Sequence, residues 1–144
     1  MNIVASIIIP THNRCASLKS ILEGLKFQSF SRQNFEVIVV ANACKDETIE
    51  MLREYKSDFN LVVCELAKLG AASARNEGAS FAKGEYLIFI DDDMQPSIDF
   101  IKEHITSHNG DNTVVIGYSP FRLEFNAVAQ RMILREWWEE KFQA

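Results

Sequence analysis

The chain is poor in the features that commonly announce a nucleotide site. Its six glycines are scattered over 144 residues. Neither G-x-x-x-x-G-K-[ST] nor a G-x-G-x-x-G after the first apolar run occurs, which sets aside P-loop and dinucleotide-binding folds. The three cysteines, Cys15, Cys44 and Cys64, form no C-x-x-C pair and are odd in number, which excludes a disulfide framework and suits thiols in a reducing compartment. Basic residues are outnumbered, 15 Lys and Arg against 20 Asp and Glu for a net charge of −5, and do not cluster. No nucleic-acid partner is therefore expected. No run of about 18 apolar residues offers a membrane span. Met1-Asn2-Ile3-Val4 has no basic leader, so no signal peptide is expected. The chain reads as cytoplasmic, with a peripheral place at a membrane left open.

What is present is an ordinary globular composition, 47% hydrophobic and 24% charged, in a length that buries roughly 70% of its unfolded surface as one domain. Apolar runs at 3–9, 35–40, 61–66 and 85–90, and another at 113–118, read as strands. Between them lie helical patterns: Leu18, Ile21, Leu22 and Leu25; Ile49, Leu52 and Tyr55 behind an Asp46 N-cap; the small residues 71–79; and Ile98, Ile101 and Ile105 turned inward within 97–108. A long last helix is expected over 124–142. Strands alternating with helices predict βαβ units, an open, mainly parallel sheet with helices on both faces. Right-handed crossovers then gather the strand-end loops, 11–14, 41–46, 68–70 and 91–93, on one edge.

The most informative stretch is Tyr86-Leu87-Ile88-Phe89-Ile90 ending in Asp91-Asp92-Asp93. The apolar part reads as a strand buried on both faces. Three adjacent carboxylates repel one another unless a cation sits among them, and Mg²⁺ and Mn²⁺ take such oxygen ligands together with substrate phosphates. The plainer alternative is a solvated acidic turn before a helix whose first turn holds Pro96. A phosphate would fall to side chains, with Arg14 and Arg75 as candidates; each also reads as a solvated surface charge.

Four segments occur together in order. They are Ser6-Ile7-Ile8-Ile9-Pro10-Thr11-His12-Asn13-Arg14, Phe35-Glu36-Val37-Ile38-Val39-Val40, Ala74-Arg75-Asn76-Glu77-Gly78, and Gly84-Glu85-Tyr86 leading to Asp91-Asp92-Asp93. In this register, over residues 3 to about 118, the chain resembles the inverting nucleotide-sugar glycosyltransferases of family 2, with the A-type fold. The resemblance implies transfer of a sugar from a nucleoside diphosphate sugar to an acceptor, with inversion and a divalent ion, Mn²⁺ or Mg²⁺. It implies that Asp91 and Asp93 are the D-x-D acids at the metal, Asp93 nearest it, with Asp91 helping through water or the ribose and Asp92 toward the ribose. Pro10, Thr11 and Asn13 would line the nucleoside pocket, and Arg75 would approach the diphosphate.

Two departures accompany the resemblance. The family's aspartate after the second strand is replaced by Ala41, followed by Asn42; the Asn42 amide either reads the base or is a turn residue. The family's general base lies far downstream, and the acids after Asp93 include Glu136, Glu139 and Glu140, which look like the charged face of a helix. The expectation is a donor half: residues 1–120 as the nucleotide-sugar-binding domain, and 121–144 as a helix leading toward an acceptor-binding half outside this chain. Phe121, Phe125, Ile133, Leu134, Trp137 and Trp138 would then need a partner, so self-association through that helix is expected. A membrane-facing role for the tryptophans is the other reading. His104 and His108, at i and i+4, have metal-capable spacing without a third ligand, and His12 with Cys15 is similarly incomplete. Alternatives are a non-catalytic nucleotide-binding or interaction fragment and a sugar nucleotidyltransferase. The latter needs a glycine-rich loop that residues 10–14 lack.

Overall fold

The computed structural model describes residues 2–110 and 113–117. The chain divides into two units, Met1–Asn109 and Gly110–Ala144. In the first unit the elements run β1 (Ala5–Thr11), α1 (Cys15–Leu25), β2 (Phe35–Asn42), α2 (Thr48–Glu54), β3 (Asn60–Leu66), α3 (Ala71–Phe81), β4 (Tyr86–Phe89) and α4 (Phe100–Thr106). The sheet order is β3-β2-β1-β4, and the three pairings are all parallel.

The central strands are continuous apolar runs because both of their faces are covered. On one face Ile7, Ile9, Val37, Val39, Ile88 and Ile90 pack with Leu18, Ile21, Leu22 and Leu25 of α1, Leu52 of α2 and Ile101 of α4. On the other, Ile8, Ile38, Val40 and Cys64 meet Ala74 of α3. The small residues of α3 have a steric reason: a Cβ at Gly78 would stand 2.5 Å from the Ile8 side chain and 3.1 Å from that of Val40. Pro10 sits inside β1 without breaking it. Ile8, two residues earlier, accepts the Ile90 N–H, so Pro10 turns its missing donor to the same side, past the end of β4.

The opposite edge, where the strands begin, is tied by a fully buried acid. Glu36 Oε1 accepts the Ser6 hydroxyl at 2.7 Å and the Lys83 N–H at 2.7 Å, while Oε2 accepts the Asn60 amide at 3.2 Å. The Gly84 N–H in turn donates to Ser6 Oγ at 2.9 Å. One side chain of β2 thereby fixes the starts of β1, β3 and β4. Gly84 must be glycine, since an added Cβ would lie 2.6 Å from both the Ala5 carbonyl carbon and the Ser6 nitrogen.

Several expectations are corrected. The first strand is Ala5–Thr11 rather than 3–9. The fourth is buried on one face only: Leu87 and Phe89 are 44% and 47% exposed, because their register opposite Ser6 and Ile8 turns them to the face where α3 packs on β1 and β2. The fourth helix starts at Phe100, so Pro96 does not open it; Pro96 packs near Gly24 instead. Ile98 precedes the helix and is 62% exposed, its carbonyl accepting the Ser29 N–H, while Phe100 takes the place against the core. In the second unit residues 113–117 form no strand; Val114 and Ile116 are 86% and 73% exposed and bury no apolar face. Tyr118 and the expected helix over 124–142 lie outside the described residues.

Two substitutions test this frame by chemical denaturation. Glu36→Ala, which leaves the buried Ser6 hydroxyl and the part-buried Lys83 N–H and Asn60 amide without their acceptor, is expected to cost about 1–3 kcal/mol. Gly84→Ala is expected to cost at least about 1–3 kcal/mol, since backbone rather than a flexible side chain must give way.

Candidate functional site

The chain passes outward from β1 to β2 to β3, then crosses back to place β4 on the other side of β1. That reversal puts α3 on the face opposite α1 and α2, and makes the gap between the carboxyl ends of β1 and β4 the topological switch point. Open α/β sheets bind ligands at such a point. Here it is flanked by Thr11 to Arg14 on one side and Asp91 to Asp93 on the other.

The loops meet through charge. The Thr11 hydroxyl donates to Asp92 Oδ2 at 2.6 Å, with Thr11 only 2% and Asp92 only 5% exposed. Arg14 Nη1 donates to the other Asp92 oxygen at 3.2 Å and to Asp93 Oδ2 at 2.6 Å. Arg75, one turn into α3, donates to Asp91 Oδ1 at 2.6 Å. Hydrogen bonding to Asp93, then the charge of Asp92, holds the Arg14 guanidinium above its usual value. Two arginines and a hydroxyl thus offset the repulsion among the three acids in this arrangement. Asp92 is withdrawn into the sheet edge, while Asp91 and Asp93 stay about half exposed.

The neighbouring loops are locked to each other. His12 Nδ1 lies 2.6 Å from the Asn42 carbonyl and donates to it; Nε2 then accepts from the Asn13 amide at 3.2 Å. Asn13, in the left-handed region at φ 52°, accepts the Lys45 N–H at 2.7 Å. Asn42 is buried, and its side-chain oxygen accepts the Gly70 N–H at the head of α3 at 3.2 Å. The side chain thus spans two loops, which a plain turn residue does not do. Ala43 is held at φ 53°, and its N–H donates to the Leu66 carbonyl. Asp46 stands one residue before the position that caps α2, yet still accepts the Thr48 N–H, and it also accepts the Cys15 N–H at the start of α1. Burial pushes Asp46 up, but hydrogen bonds from Thr48 and Cys15 together carry it below the usual carboxylate value. Burial, then Asp46, pushes the Cys15 thiol up, which leaves it a poor nucleophile.

Of the expected site residues, Thr11, Arg14, Asp91, Asp92, Asp93 and Arg75 converge on the switch point. Beside it lie Pro10 next to the end of β1, Asn42 as the last residue of β2 and Asn13 in the loop after β1. The lock made by His12, Lys45 and Gly70 was not anticipated; its only sequence signal is an asparagine at or near the carboxyl end of each of two adjacent strands. Among the described residues no three acidic, histidine or cysteine side chains are placed so that together they could hold a metal ion. The donor set nonetheless fits a hard cation held by one or two exposed carboxylates, with phosphate and water completing its shell. His104 and His108 belong elsewhere. Their rings pack on Phe100 and Tyr86 at 4.8 Å and 5.0 Å between centroids, and burial, then His108, lowers the His104 value. A groove of about 550 Å³ between α1 and α2, lined in part by Lys19, Glu23, Lys26, Glu50 and Tyr55, contains none of the converging residues. Burial there pushes Tyr55 up to about 12, with the Lys26 ammonium 4.6 Å from its ring centre. Among the described residues no helix is long and apolar enough to cross a membrane.

The Thr11–Asp92 contact makes a prediction. Thr11→Val keeps the volume but leaves a buried carboxylate oxygen without its hydroxyl, and is expected to lower stability by about 1–3 kcal/mol; Thr11→Ser, which keeps the donor, should recover most of it in the same denaturation series.

Known proteins share both sequence and fold. The chain is 38% identical over 115 residues to the uncharacterized glycosyltransferase YfnE of Bacillus subtilis, covering 78% of this chain and 29% of that protein. It is 32% identical over 108 residues to the poly(ribitol-phosphate) β-N-acetylglucosaminyltransferase TarS of Staphylococcus aureus, covering 69% of this chain and 19% of TarS. The chain thus spans less than a third of either relative. The crystal structure of TarS 1–349 in complex with UDP-GlcNAc superposes with a TM-score of 0.68 at 27% identity, covering 84% of this chain and 39% of that one. The mannosyltransferase PcManGT of Pyrobaculum calidifontis, in complex with GDP-Man and Mn²⁺, gives 0.67 at 27% identity over 73% of this chain and 32% of its own. The parallel sheet with its flanking helices is therefore the A-type glycosyltransferase architecture. The family model for glycosyl transferase family 2 matches residues 6–143, and the chain belongs to that family.

Proposed function

We propose that this chain is the donor-binding part of a glycosyltransferase that transfers a sugar, with inversion, from a nucleoside diphosphate sugar to an acceptor. The observation that carries the reading is the convergence of Arg14, Arg75, Asp91 and Asp93 on the β1–β4 switch point. Two guanidiniums supply paired donors for a diphosphate, and α3 adds an N-terminus with no acid in its first turn and no side-chain cap, a favourable neighbour for an anion. Nucleotide-sugar complexes of TarS and PcManGT support the same class of donor.

In this reading Pro10, Thr11, Asn13 and Asn42 shape the nucleoside side of the crevice. Arg75, from the first turns of α3, binds the diphosphate. Asp93, with Asp91 beside it, would hold Mn²⁺ or Mg²⁺. Such an ion, when bound, neutralises the charge that develops on the departing diphosphate. Asp92 acts from below, through Thr11 and Arg14, to keep the two loops at fixed separation. The acids expected on the last helix, Glu136, Glu139 and Glu140, lie outside the described residues. No residue is assigned the proton of the acceptor.

Calorimetric titration with UDP, GDP and dTDP, each with and without Mn²⁺, tests the reading: at least one should bind, and more tightly with the ion. Asp93→Asn should abolish the effect of Mn²⁺ on nucleotide affinity; an undiminished effect would refute the metal assignment. Arg75→Ala should weaken nucleoside diphosphate binding roughly tenfold or more, as loss of a charged hydrogen bond does, and leave nucleoside binding unchanged. Equal losses for both would remove Arg75 from the phosphate.

A further inference from the structure

The switch point satisfies its charges internally. One nitrogen, Arg14 Nη1, bridges Asp93 Oδ2 at 2.6 Å and Asp92 Oδ1 at 3.2 Å, and Arg75 covers Asp91 in the same way at 2.6 Å. The two ends of the Arg14 contact differ. Asp92 is buried and held by Thr11, so it cannot move, whereas the side chains of Arg14 and Asp93 are 52% and 54% exposed and can part at little cost. Resting on the donor-site reading above, we infer that Arg14 is a positioning residue that masks the Asp93 carboxylate until a nucleoside diphosphate draws the guanidinium away, so that cation and nucleotide enter as a pair.

The masking is relieved by an exchange of partners. A divalent ion arriving alone at Asp93 competes for an oxygen already bonded to a guanidinium, and on winning it leaves that positive charge beside it. A diphosphate arriving alone must take Arg14 from two carboxylates and leave those carboxylates facing its own negative charge. Arriving together, the ion takes the carboxylate and the phosphate takes the guanidinium, so each charge released finds an opposite one. By linkage, the factor by which the nucleotide tightens the ion equals the factor by which the ion tightens the nucleotide. Part of that factor belongs to Arg14.

The test measures Mn²⁺ binding in the absence of nucleotide, by the electron paramagnetic resonance of the free ion, and then repeats it with UDP and with GDP. Arg14→Ala and Arg14→Gln should bind Mn²⁺ alone roughly two- to fivefold more tightly than the parent chain, the scale of one exposed ion pair. The factor by which nucleotide tightens Mn²⁺ should shrink in both. Arg32→Ala, which removes the same charge from a pair with Asp58 at the opposite edge, should change neither. The Gln variant keeps a donor for Asp92 and carries the test if loss of the whole side chain unsettles the loop. A merely structural Arg14 would lower Mn²⁺ affinity when removed, or leave it alone. Either result, in a chain whose parent still shows ion-tightened nucleotide binding, overturns this inference and leaves the donor site standing. A parent chain that binds neither ion nor nucleotide overturns both.

Discussion

A single buried carboxyl group sets the frame on which everything else depends. Glu36 has no exposure to water, and its carboxylate accepts from three donors: the Ser6 hydroxyl, the Lys83 N–H and the Asn60 amide. Parallel strands have no tight hairpins to fix their register. Here the starts of β1, β3 and β4 are referred to one side chain of β2. The register so set places Ile8 opposite Phe89 and, at the far ends of the same strands, brings Thr11 to Asp92. A polar cluster at one edge thus decides which residues face each other at the other.

At that far edge the balance is electrostatic and close. Three successive acids would repel, and two arginines, Arg14 from the loop before α1 and Arg75 from α3, with one hydroxyl, offset them. Only the Asp92 part of this arrangement is withdrawn from water; the pairs to Asp91 and Asp93 are exposed and individually weak. A rigid half and an exchangeable half therefore lie side by side in three residues. The rigid half keeps the loops in place, and the exposed half is where the proposed exchange of partners would occur.

Much of this was legible in the residues. The β-branched and aromatic runs, the helical spacing of Leu18, Ile21, Leu22 and Leu25, and the acids at a strand's carboxyl end indicated an open parallel sheet with a polar crevice. Three features were not legible, each for a physical reason. The run Tyr86 to Ile90 is apolar at every position, so the sequence carried no mark that Leu87 and Phe89 lie where α3 gives little cover. Ile98 fits a helical stripe, but the backbone between Pro96 and Phe100 is spent on bonds from Ser29 and Gln28, and the helix starts later. The Arg14–Asp93 pair joins residues far apart in sequence, and only the crossing of β4 to the other side of β1 makes them neighbours.

The proline inside β1 has a consequence for how a ligand crevice can exist in a tightly bonded sheet. A strand lying beside β1 past Ile90 would find no donor at Pro10, so the zipper between the two strands has its last tooth filed off at that point. Past Ile90 the seam between β1 and β4 is therefore held by side chains, Thr11 on Asp92, and a guest molecule entering there has no backbone bond to break. The crevice is cut by covalent chemistry, before any ligand arrives.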